Sequence, residues 1–269
     1  MAIQNYDNGF LIAGSPFTII RTDQFGDTLW IRNLGGGSAL GLIATLDGDL
    51  IAVGSDYHYM QPCDLMLAKL NQFGDTIWVR FWGGSSNDYG YSVVQTADSC
   101  FIIAGTTQSF GLGNSDGWVI KVNPYGDTIW TKTFGGNYND YLYCIAPAGE
   151  DDYVVAGATS SFGNGSDDIW VLKINGDGDT LWTKCFGQSG PEASFSIKKM
   201  TDGGFIVSGY TGSDGPPKSY ILKLNENGDS IWTRSFDNQS YAYSITESPE
   251  GYLFVGDYYG GPGYGSAEN

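Results

Sequence analysis

Residues 85–136 read SSNDYGYSVVQTADSCFIIAGTTQSFGLGNSDGWVIKVNPYGDTIWTKTFGG, and variants of this stretch fill the rest of the chain. Its string Gly-Asp-Thr-Ile-Trp belongs to a series of five, Gly-Asp-Thr/Ser-Ile/Leu-Trp, spaced by 48, 52, 52 and 50 residues. The tryptophans of the series are Trp30, Trp78, Trp130, Trp182 and Trp232. A period near fifty residues is too long for ankyrin or leucine-rich repeats and is typical of a four-stranded propeller blade.

Each repeat divides into four short segments, strands A to D, without a helical pattern. In the quoted repeat we predict these strands at 91–96, 100–105, 117–122 and 127–133. Strand B reads FLIAG, LIAVG, FIIAG, YVVAG, FIVSG and YLFVG in its six copies. Such near-continuous apolar runs indicate strands that are covered on both faces, whereas an open sandwich would show alternation. The sequence therefore predicts an all-β propeller of four-stranded antiparallel blades.

The turn between strands C and D begins with Asp or Asn and reaches a glycine three residues later. This pattern predicts a type I turn closed by a left-handed glycine. The glycines are Gly26, Gly74, Gly126, Gly178 and Gly228. Ten of the thirteen Lys and Arg residues also follow the repeat, at one position in strand C and at another two residues after each tryptophan. We interpret them as structural cations that lie over apolar surface or pair with acids of the repeat.

The number of blades is less well determined. Strands A and B occur six times and strands C and D five times, so the chain holds five and a half repeats. We favour six blades with an incomplete last blade over five blades in which the terminal A–B units compete for one place. The predicted single domain spans 1–264, and 265–269 are interpreted as a linker or tag remnant. The repeats lie at about 1–36, 37–84, 85–136, 137–187, 188–237 and, in part, 238–261.

Charge excludes two classes of partner. The 269 residues include 13 Lys and Arg against 30 Asp and Glu, which gives a formal net charge of −17 at pH 7. Such a charge repels phosphate backbones and anionic lipid, so we expect no nucleic-acid or membrane-surface binding. No run of eighteen apolar residues is present, so no membrane insertion is predicted. Self-association through the unpaired edge of the incomplete blade is a further expectation.

The quoted repeat resembles that of large secreted bacterial β-propeller proteins, which often carry a C-terminal sorting domain. The resemblance extends over about residues 2–256 and implies an extracellular or cell-surface location with no assigned activity; no signal peptide is recognised in the chain. The Gly-Asp-x-x-Trp corner is also similar to the tryptophan-docking corner of quinoprotein propellers. The chain has too few repeats for their eight-bladed ring and lacks an adjacent cysteine pair, so their cofactor is not carried over.

Candidate binding residues concentrate in the segments that lead into strand A: NDYGY (87–91), NDYLY (139–143), PEASF (191–195) and QSYAY (239–243). We predict these as D–A loops that share one face with the B–C loops. Tyrosine rings stack on sugars and carboxylates accept hydroxyl hydrogen bonds, so a glycan or a surface protein is the expected partner of a non-catalytic binding or spacing module. The structural alternative is that Asp and Asn begin turns while the tyrosines pack between blades. The candidates are Asp88, Tyr89, Tyr91, Asp140, Tyr141, Tyr143, Tyr241 and Tyr243, with His58 and Tyr59 from the loop 56–64.

Catalysis and metal binding have weaker support. Asp88 and Asp140 could serve as the paired carboxylates of a glycoside hydrolase, which is the enzymatic alternative; a purely structural spacer is the third. Weak calcium candidates are Asp116, Asp167 and Asp168, and no other cofactor is expected. The four cysteines show no C-x-x-C spacing and are interpreted as isolated, mostly buried thiols, with disulfide pairing left open.

Overall fold

The structure is a computed structural model that describes residues 2–4, 8–57, 61–212, 215–236 and 240–258. In this part of the chain it contains 22 β-strands and no helix. The strands form five four-stranded antiparallel sheets and one two-stranded sheet, and within each sheet they are ordered as in the chain. The predicted all-β class and the predicted four-stranded antiparallel units are therefore confirmed.

The sheets are numbered along the chain, and each begins with strand A of its repeat. Sheet 1 contains β1 (Ala2–Gln4), β2 (Phe10–Gly14), β3 (Thr18–Thr22) and β4 (Thr28–Asn33). Sheet 2 contains β5 (Ser38–Ala44), β6 (Leu50–Asp56), β7 (Asp64–Leu70) and β8 (Thr76–Trp82). Sheet 3 contains β9 (Asp88–Gln95), β10 (Phe101–Thr107), β11 (Asp116–Val122) and β12 (Thr128–Phe134).

The later sheets repeat this order. Sheet 4 contains β13 (Asp140–Pro147), β14 (Asp152–Thr159), β15 (Asp168–Asn175) and β16 (Thr180–Phe186). Sheet 5 contains β17 (Glu192–Lys199), β18 (Phe205–Thr211), β19 (Lys218–Leu224) and β20 (Ser230–Phe236). Sheet 6 contains β21 (Ser240–Ser248) and β22 (Gly251–Tyr258). The terminal strand pairs thus belong to different sheets, which favours six units and not the five-unit alternative.

Strand A is longer than predicted, because a β-bulge lets it continue through the segment that we had predicted as a loop. In sheet 3, Gly90 pairs with Gly105 and Ser92 pairs with Ala104, so Tyr91 is an extra residue. An extra residue at a bulge is left unpaired and re-aims a side chain. The same bulge recurs in the other sheets that have a complete strand A, at Leu40, Tyr143, Phe195 and Tyr243.

The core lies between successive sheets. Strands β6, β10 and β11 are buried at every position. Leu11 and Ala13 of sheet 1 share one apolar cluster with Leu50 and Ala52 of sheet 2, and similar clusters fill the later junctions. Burial on both faces, which the apolar runs predicted, is confirmed for the internal sheets.

Packing also sets the order of the strands from inside to outside. The A strands of sheets 2 to 6 contact one another from each sheet to the next, which makes them the inner strands. In contrast, strand D is the most exposed strand of each complete sheet.

At the outer rim, the repeat tryptophans of sheets 1 to 4 pack on the C–D turn of the following sheet. The Trp130 indole N–H donates to Gly176 O at 3.1 Å, and Trp30 and Trp78 make the equivalent bonds to Gln72 O and Pro124 O at 3.2 Å. Gly178 has φ +75°, and a Cβ there would lie 2.9 Å from the Trp130 ring. The turn glycine is thus required both by its backbone conformation and by the tryptophan above it.

The repeat cations have the structural roles that their periodicity predicted. In strand C, Lys173 pairs at 2.8 Å with Asp152, the first residue of strand B, and Lys223 pairs at 2.7 Å with Asp202 of the A–B turn. Four of the five cations that follow the tryptophans lie over the indole rings at 5.7–5.9 Å. These are Arg32, Arg80, Lys132 and Arg234.

Among the described residues, the first and last sheets each have one apolar face that no other sheet covers. Phe10 and Ile12 of β2 are 40% and 37% exposed, while the equivalent Leu50 and Ala52 of β6 are buried. At the other end, Leu253 and Val255 of β22 are each 62% exposed. Among the described strands, the packing that joins successive sheets does not join sheet 6 to sheet 1.

Candidate functional site

Seven aromatic rings of the inner strands and one ring of β18 form one connected cluster, which we call the inner aromatic band. Its core consists of four bulge residues from successive sheets: Tyr91 lies 5.1 Å from Tyr143, Tyr143 lies 6.0 Å from Phe195, and Phe195 lies 5.2 Å from Tyr243, measured between ring centroids. The band includes all six tyrosines predicted from the D–A segments. Its members are Tyr89, Tyr91, Tyr141, Tyr143, Phe195, Tyr210, Tyr241 and Tyr243.

Ring pairs in the band are stacked within a sheet and meet edge to face or tilted between sheets. Within one strand, Tyr141 and Tyr143 are stacked at 5.7 Å with their planes 9° apart, and the tyrosine pairs of sheets 3 and 6 stack similarly. Between sheets, Tyr91 meets Tyr143 edge to face at 76°. Both geometries are favourable for aromatic rings and give about 0.5–1.5 kcal/mol per pair beyond area burial. The tyrosines thus contact one another both within a sheet and between successive sheets.

The phenol groups of Tyr89, Tyr91 and Tyr143 stay protonated at neutral pH. Burial, followed by neighbouring tyrosines, raises the pKa of Tyr91 and of Tyr143 well above the usual value. Burial and the Cys63 thiol raise the pKa of Tyr89 to about 12. Neutral phenols can donate a hydrogen bond, as the Tyr243 hydroxyl does to Asp257 Oδ2 at 3.1 Å. All the rings are half-buried except Tyr243, which is 46% exposed.

Asp88 and Asp140, predicted as loop residues that could bind a ligand, are fully buried at the first position of strand A. The Asp140 carboxylate accepts hydrogen bonds from Gly136 N at 2.8 Å, from Ser161 Oγ at 2.6 Å and from the Thr159 hydroxyl. Asp88 accepts the equivalent bonds from Gly84 N and Ser109 Oγ. Both residues hold the D–A connection in place, so their predicted position on the surface is wrong.

Three junctions contain a pair of acids that sequence reasoning missed. Asp116 and Asp140 both approach Gly135, where any side chain would clash with their carboxylates. Burial raises the pKa of Asp116, and the Asp140 carboxylate adds to the shift. The signal was present in the sequence, since an acid recurs at both positions in three successive repeats. The pairs are Asp64 with Asp88, Asp116 with Asp140, and Asp168 with Glu192.

The B–C loops adjoin the first residues of strand A, as predicted. Asp140 N donates to Ser115 O at 2.8 Å, and Glu192 N donates to Asp167 O at 2.8 Å. The three calcium candidates do not form one site, because Asp116 belongs to the junction of sheets 3 and 4, whereas Asp167 and Asp168 lie at that of sheets 4 and 5. Within the described ranges, no three His, Cys, Asp or Glu side chains are grouped to hold a metal.

The remaining sequence candidates are His58, Tyr59 and the four cysteines. His58 and Tyr59 lie outside the described residues. All four cysteines are free, and Cys63, Cys100 and Cys144 are buried, as expected for isolated thiols. Burial raises the pKa of Cys144 to about 12, which disfavours the thiolate. No helix in the described part of the chain has the length and apolarity to cross a membrane.

Two clefts open between sheets away from the inner aromatic band. One, of about 520 Å³, lies between sheets 2 and 3 and is lined by Trp82, Phe110 and Trp118. The other, of about 260 Å³, lies between sheets 4 and 5 and is lined by Phe186, Glu192 and Tyr220. Neither cleft includes a residue that we predicted to bind a ligand.

Known proteins resemble the chain in structure. The Neurospora crassa Pan2 WD40 domain superposes with a TM-score of 0.62 at 12% identity, over 96% of this chain and 71% of that one. The Dos1 propeller gives 0.60 at 11% identity, over 92% of this chain. The C-terminal WD40 domain of Sif2 gives 0.52 at 12% identity, over 98% of this chain and 81% of that one.

The fold is a β-propeller. The propeller spans 61% of the length of the Dos1 propeller chain. At 11–12% identity these similarities establish the fold alone. No protein-family model matches the sequence, and no curated protein matches it.

Proposed function

We propose that this propeller is a non-catalytic binding module that holds a glycan against the inner aromatic band. The observation that carries the proposal is the connected set of bulge residues from four successive sheets, with Tyr91, Tyr143 and Phe195 at its centre. A rigid scaffold that presents aromatic rings beside loops is a common form of binding site. The half-buried rings leave partial faces for sugar stacking, and the protonated phenols can donate hydrogen bonds to ring and hydroxyl oxygens.

Charge narrows the class of glycan. The formal net charge of −17 disfavours uronate-rich or sulfated polysaccharides, which would meet a negative field. We therefore propose a neutral or amino-sugar glycan as the ligand. The resemblance of the repeat to secreted bacterial propeller proteins supports a role outside the cell or at its surface, where such glycans occur.

A glycan array followed by titration calorimetry, with and without calcium, tests this function. The double variant Tyr91→Ala/Tyr143→Ala should weaken binding at least tenfold, because each lost stacking contact contributes on the order of 1 kcal/mol. The matched control is Tyr125→Ala/Tyr138→Ala, which removes two exposed tyrosines outside the band and should leave the affinity unchanged. No binding by the folded protein, or equal affinity in both double variants, would reject the proposal and leave the spacer role.

The glycoside hydrolase alternative gains no support from the positions of its two carboxylates. Asp88 and Asp140 lie at different junctions and are both fully buried. Turnover of a chromogenic glycoside panel that is abolished by Asp88→Asn would nevertheless revive it, provided that the variant remains folded.

A further inference from the structure

The cleft of about 520 Å³ between sheets 2 and 3 is lined mainly by aromatic rings. Trp82, the last residue of β8, belongs to sheet 2, while Phe110 and Trp118 belong to sheet 3. The Phe110 and Trp118 rings are 5.5 Å apart and tilted by 46°. Trp118 is buried, Trp82 is half-buried and Phe110 is 47% exposed, so the lining extends from the core to the surface. The volume is within the range of small-molecule sites, roughly 300–1,000 Å³.

The hydrogen-bonding groups of the two tryptophans are already used. Trp82 Nε1 donates to the Thr128 hydroxyl at 2.8 Å, and Trp118 Nε1 donates to the Thr131 hydroxyl. The described residues that line the cleft carry no charge. The lining therefore favours a ligand with little hydrogen-bonding capacity, because few polar groups remain to receive one.

Two carboxylates adjoin the cleft at Gly83, which is part of its lining. A Cβ on Gly83 would clash with Asp64 Oδ1 and Asp88 Oδ2. The Asp88 carboxylate is fully buried, and it accepts hydrogen bonds from two uncharged donors, Gly84 N at 3.0 Å and Ser109 Oγ at 2.7 Å. Its Oδ1 atom has no hydrogen-bond partner among the described residues. Because Asp88 is shielded from water, its charge acts on the cleft with less screening than a surface charge.

The second cleft, between sheets 4 and 5, repeats this arrangement. Its lining includes Phe186, Gly187 and Tyr220, which occupy the repeat positions of the two tryptophans and the glycine of the first cleft. The buried Glu192 carboxylate, at the repeat position of Asp88, is itself part of the lining. An aromatic pair beside a buried acid thus recurs at two junctions.

Elsewhere in the repeat, tryptophans are paired with cations. A Lys or Arg lies two residues after each rim tryptophan, and Arg80, for example, lies over Trp78 at 5.7 Å. Trp82 has Gly84 at that position, and in the described part of the chain no cation lies over Trp82 or Trp118. Sheet 2 also ends strand D with tryptophan where sheets 3 to 5 have phenylalanine. Tryptophan is the aromatic side chain that binds a cation most strongly.

We propose that the cleft between sheets 2 and 3 binds the quaternary ammonium group of a small, soluble compound of the choline type. The cation lies against the Trp82 and Trp118 rings, where the rings and the Asp64 and Asp88 carboxylates both attract it. A primary ammonium fits less well, because its three N–H groups need acceptors and two threonine hydroxyls of the lining already accept indole N–H groups. The net charge of −17 favours a ligand without phosphate.

The experiment compares choline with its neutral isostere, in which a tert-butyl group replaces the trimethylammonium group, on the full chain at constant ionic strength. Heteronuclear NMR of the isotope-labelled chain measures both affinity and location, since each tryptophan gives one indole N–H signal. We expect saturable binding of choline that shifts the Trp82 and Trp118 signals and leaves the Trp30 signal unchanged. The isostere should bind at least tenfold more weakly, because it lacks the cation–π attraction.

Variants of the chain separate the rings from the charge. Trp82→Leu keeps an apolar side chain but removes the indole, so choline affinity should fall at least tenfold. Asp88→Asn keeps the shape of the side chain and should weaken the binding of choline but not that of the isostere. The matched control Tyr125→Leu removes an exposed ring at the opposite end of sheet 3 and should leave both affinities unchanged. If Trp82→Leu does not fold, Trp82→Phe introduces the residue that ends strand D in sheets 3 to 5 and should weaken choline binding in the same direction.

Equal affinity for choline and its isostere would show that the cleft is apolar without selecting a cation, and would overturn the proposal. Unshifted Trp82 and Trp118 signals, or unchanged choline affinity in the folded Trp82 variant, would overturn it as well. None of these results bears on the glycan site, which is tested by the tyrosine variants of the inner aromatic band.

Discussion

The outer rim and the inner aromatic band are made by the same repeat but differ in how strictly they repeat. At the rim, the tryptophan, the turn glycine and the cation recur at the four junctions between sheets 1 and 5 with nearly the same contacts. The bulge position of strand A, which supplies the core of the band, is less uniform: it holds leucine in sheet 2, tyrosine in sheets 3, 4 and 6, and phenylalanine in sheet 5. In chain order these residues are Leu40, Tyr91, Tyr143, Phe195 and Tyr243.

The difference separates stability from recognition. A contact that recurs unchanged, with each partner shaped for the other, serves to join sheets. A position whose backbone geometry is constant while its side chain varies is suited to selecting a ligand, since the scaffold does not depend on which large side chain is present. The following predictions test this division, beginning with the largest effect.

Removing a rim tryptophan should cause the largest loss in the free energy of unfolding. Trp130→Ala loses packing on the next turn and the hydrogen bond to Gly176 O, so we expect the free energy of unfolding to fall by about 3 kcal/mol. Trp232 covers no C–D turn in the described chain, so Trp232→Ala should lower the free energy of unfolding by clearly less. Chemical denaturation of both variants measures the difference, and equal losses would show that the turn contact adds nothing.

The turn glycines allow the cost of backbone strain to be separated from the cost of a clash with a tryptophan. Gly26 and Gly178 occupy the same turn position with φ of +88° and +75°, but only Gly178 lies beneath a tryptophan. Gly26→Ala should cost about 1 kcal/mol through backbone strain alone. Gly178→Ala adds a clash with Trp130, for a total of about 2–3 kcal/mol. If the two variants unfold at the same denaturant concentration, the tryptophan does not constrain the turn.

The buried acid pairs, which lie between rim and band, should give stability a measurable pH dependence. Because the folded-state pKa of Asp116 is raised, the folded protein holds this proton more tightly than the unfolded chain. The contribution of Asp116 is therefore greatest below the unfolded pKa of about 3.9 and is lost as pH rises through the folded pKa. Asp116→Asn should reduce this loss of stability with rising pH. Chemical denaturation at a series of pH values from pH 3 upward measures the change.

Asp202 provides a control whose contribution to stability changes with pH in the opposite direction. Its pKa is lowered by the Lys223 ammonium, so its contribution is present above the unfolded value and is lost as pH falls. Asp202→Asn should therefore reduce stability at neutral pH more than at low pH. If stability changed with pH in the same direction for both variants, the opposite pKa shifts of Asp116 and Asp202 would be contradicted.

The smallest change in the free energy of unfolding is expected at the bulge position of strand A, which supplies the core of the band. Leu40 of sheet 2 is the one aliphatic bulge residue and is exposed, so Leu40→Tyr should change stability by no more than about 0.5 kcal/mol. It should add a tyrosine beside Tyr91, visible as a change in near-ultraviolet circular dichroism. A loss as large as that of a rim variant would mean that the band is as strictly built as the rim.

The rim was predictable from sequence because each of its contacts needs one residue type at one position. Trp130 needs an indole and Gly178 needs a positive φ, so both appear as fixed letters of the repeat. The position of Tyr91 was harder to predict, because a bulge adds one residue to a strand and hides the strand start from any alternating pattern. The burial of Asp140 was missed for another reason: an acid that initiates a turn and one that is enclosed by the preceding sheet are identical in sequence.

The placement of one bulge per inner strand has a consequence for how such a chain can evolve. Since the packing joins successive sheets through equivalent positions, a tandem duplication of about fifty residues creates a new junction of the existing type. Each duplication also contributes one more re-aimed side chain, free to diverge by point substitution. Copy number would then set the length of the recognition surface, while single-codon changes would set its specificity.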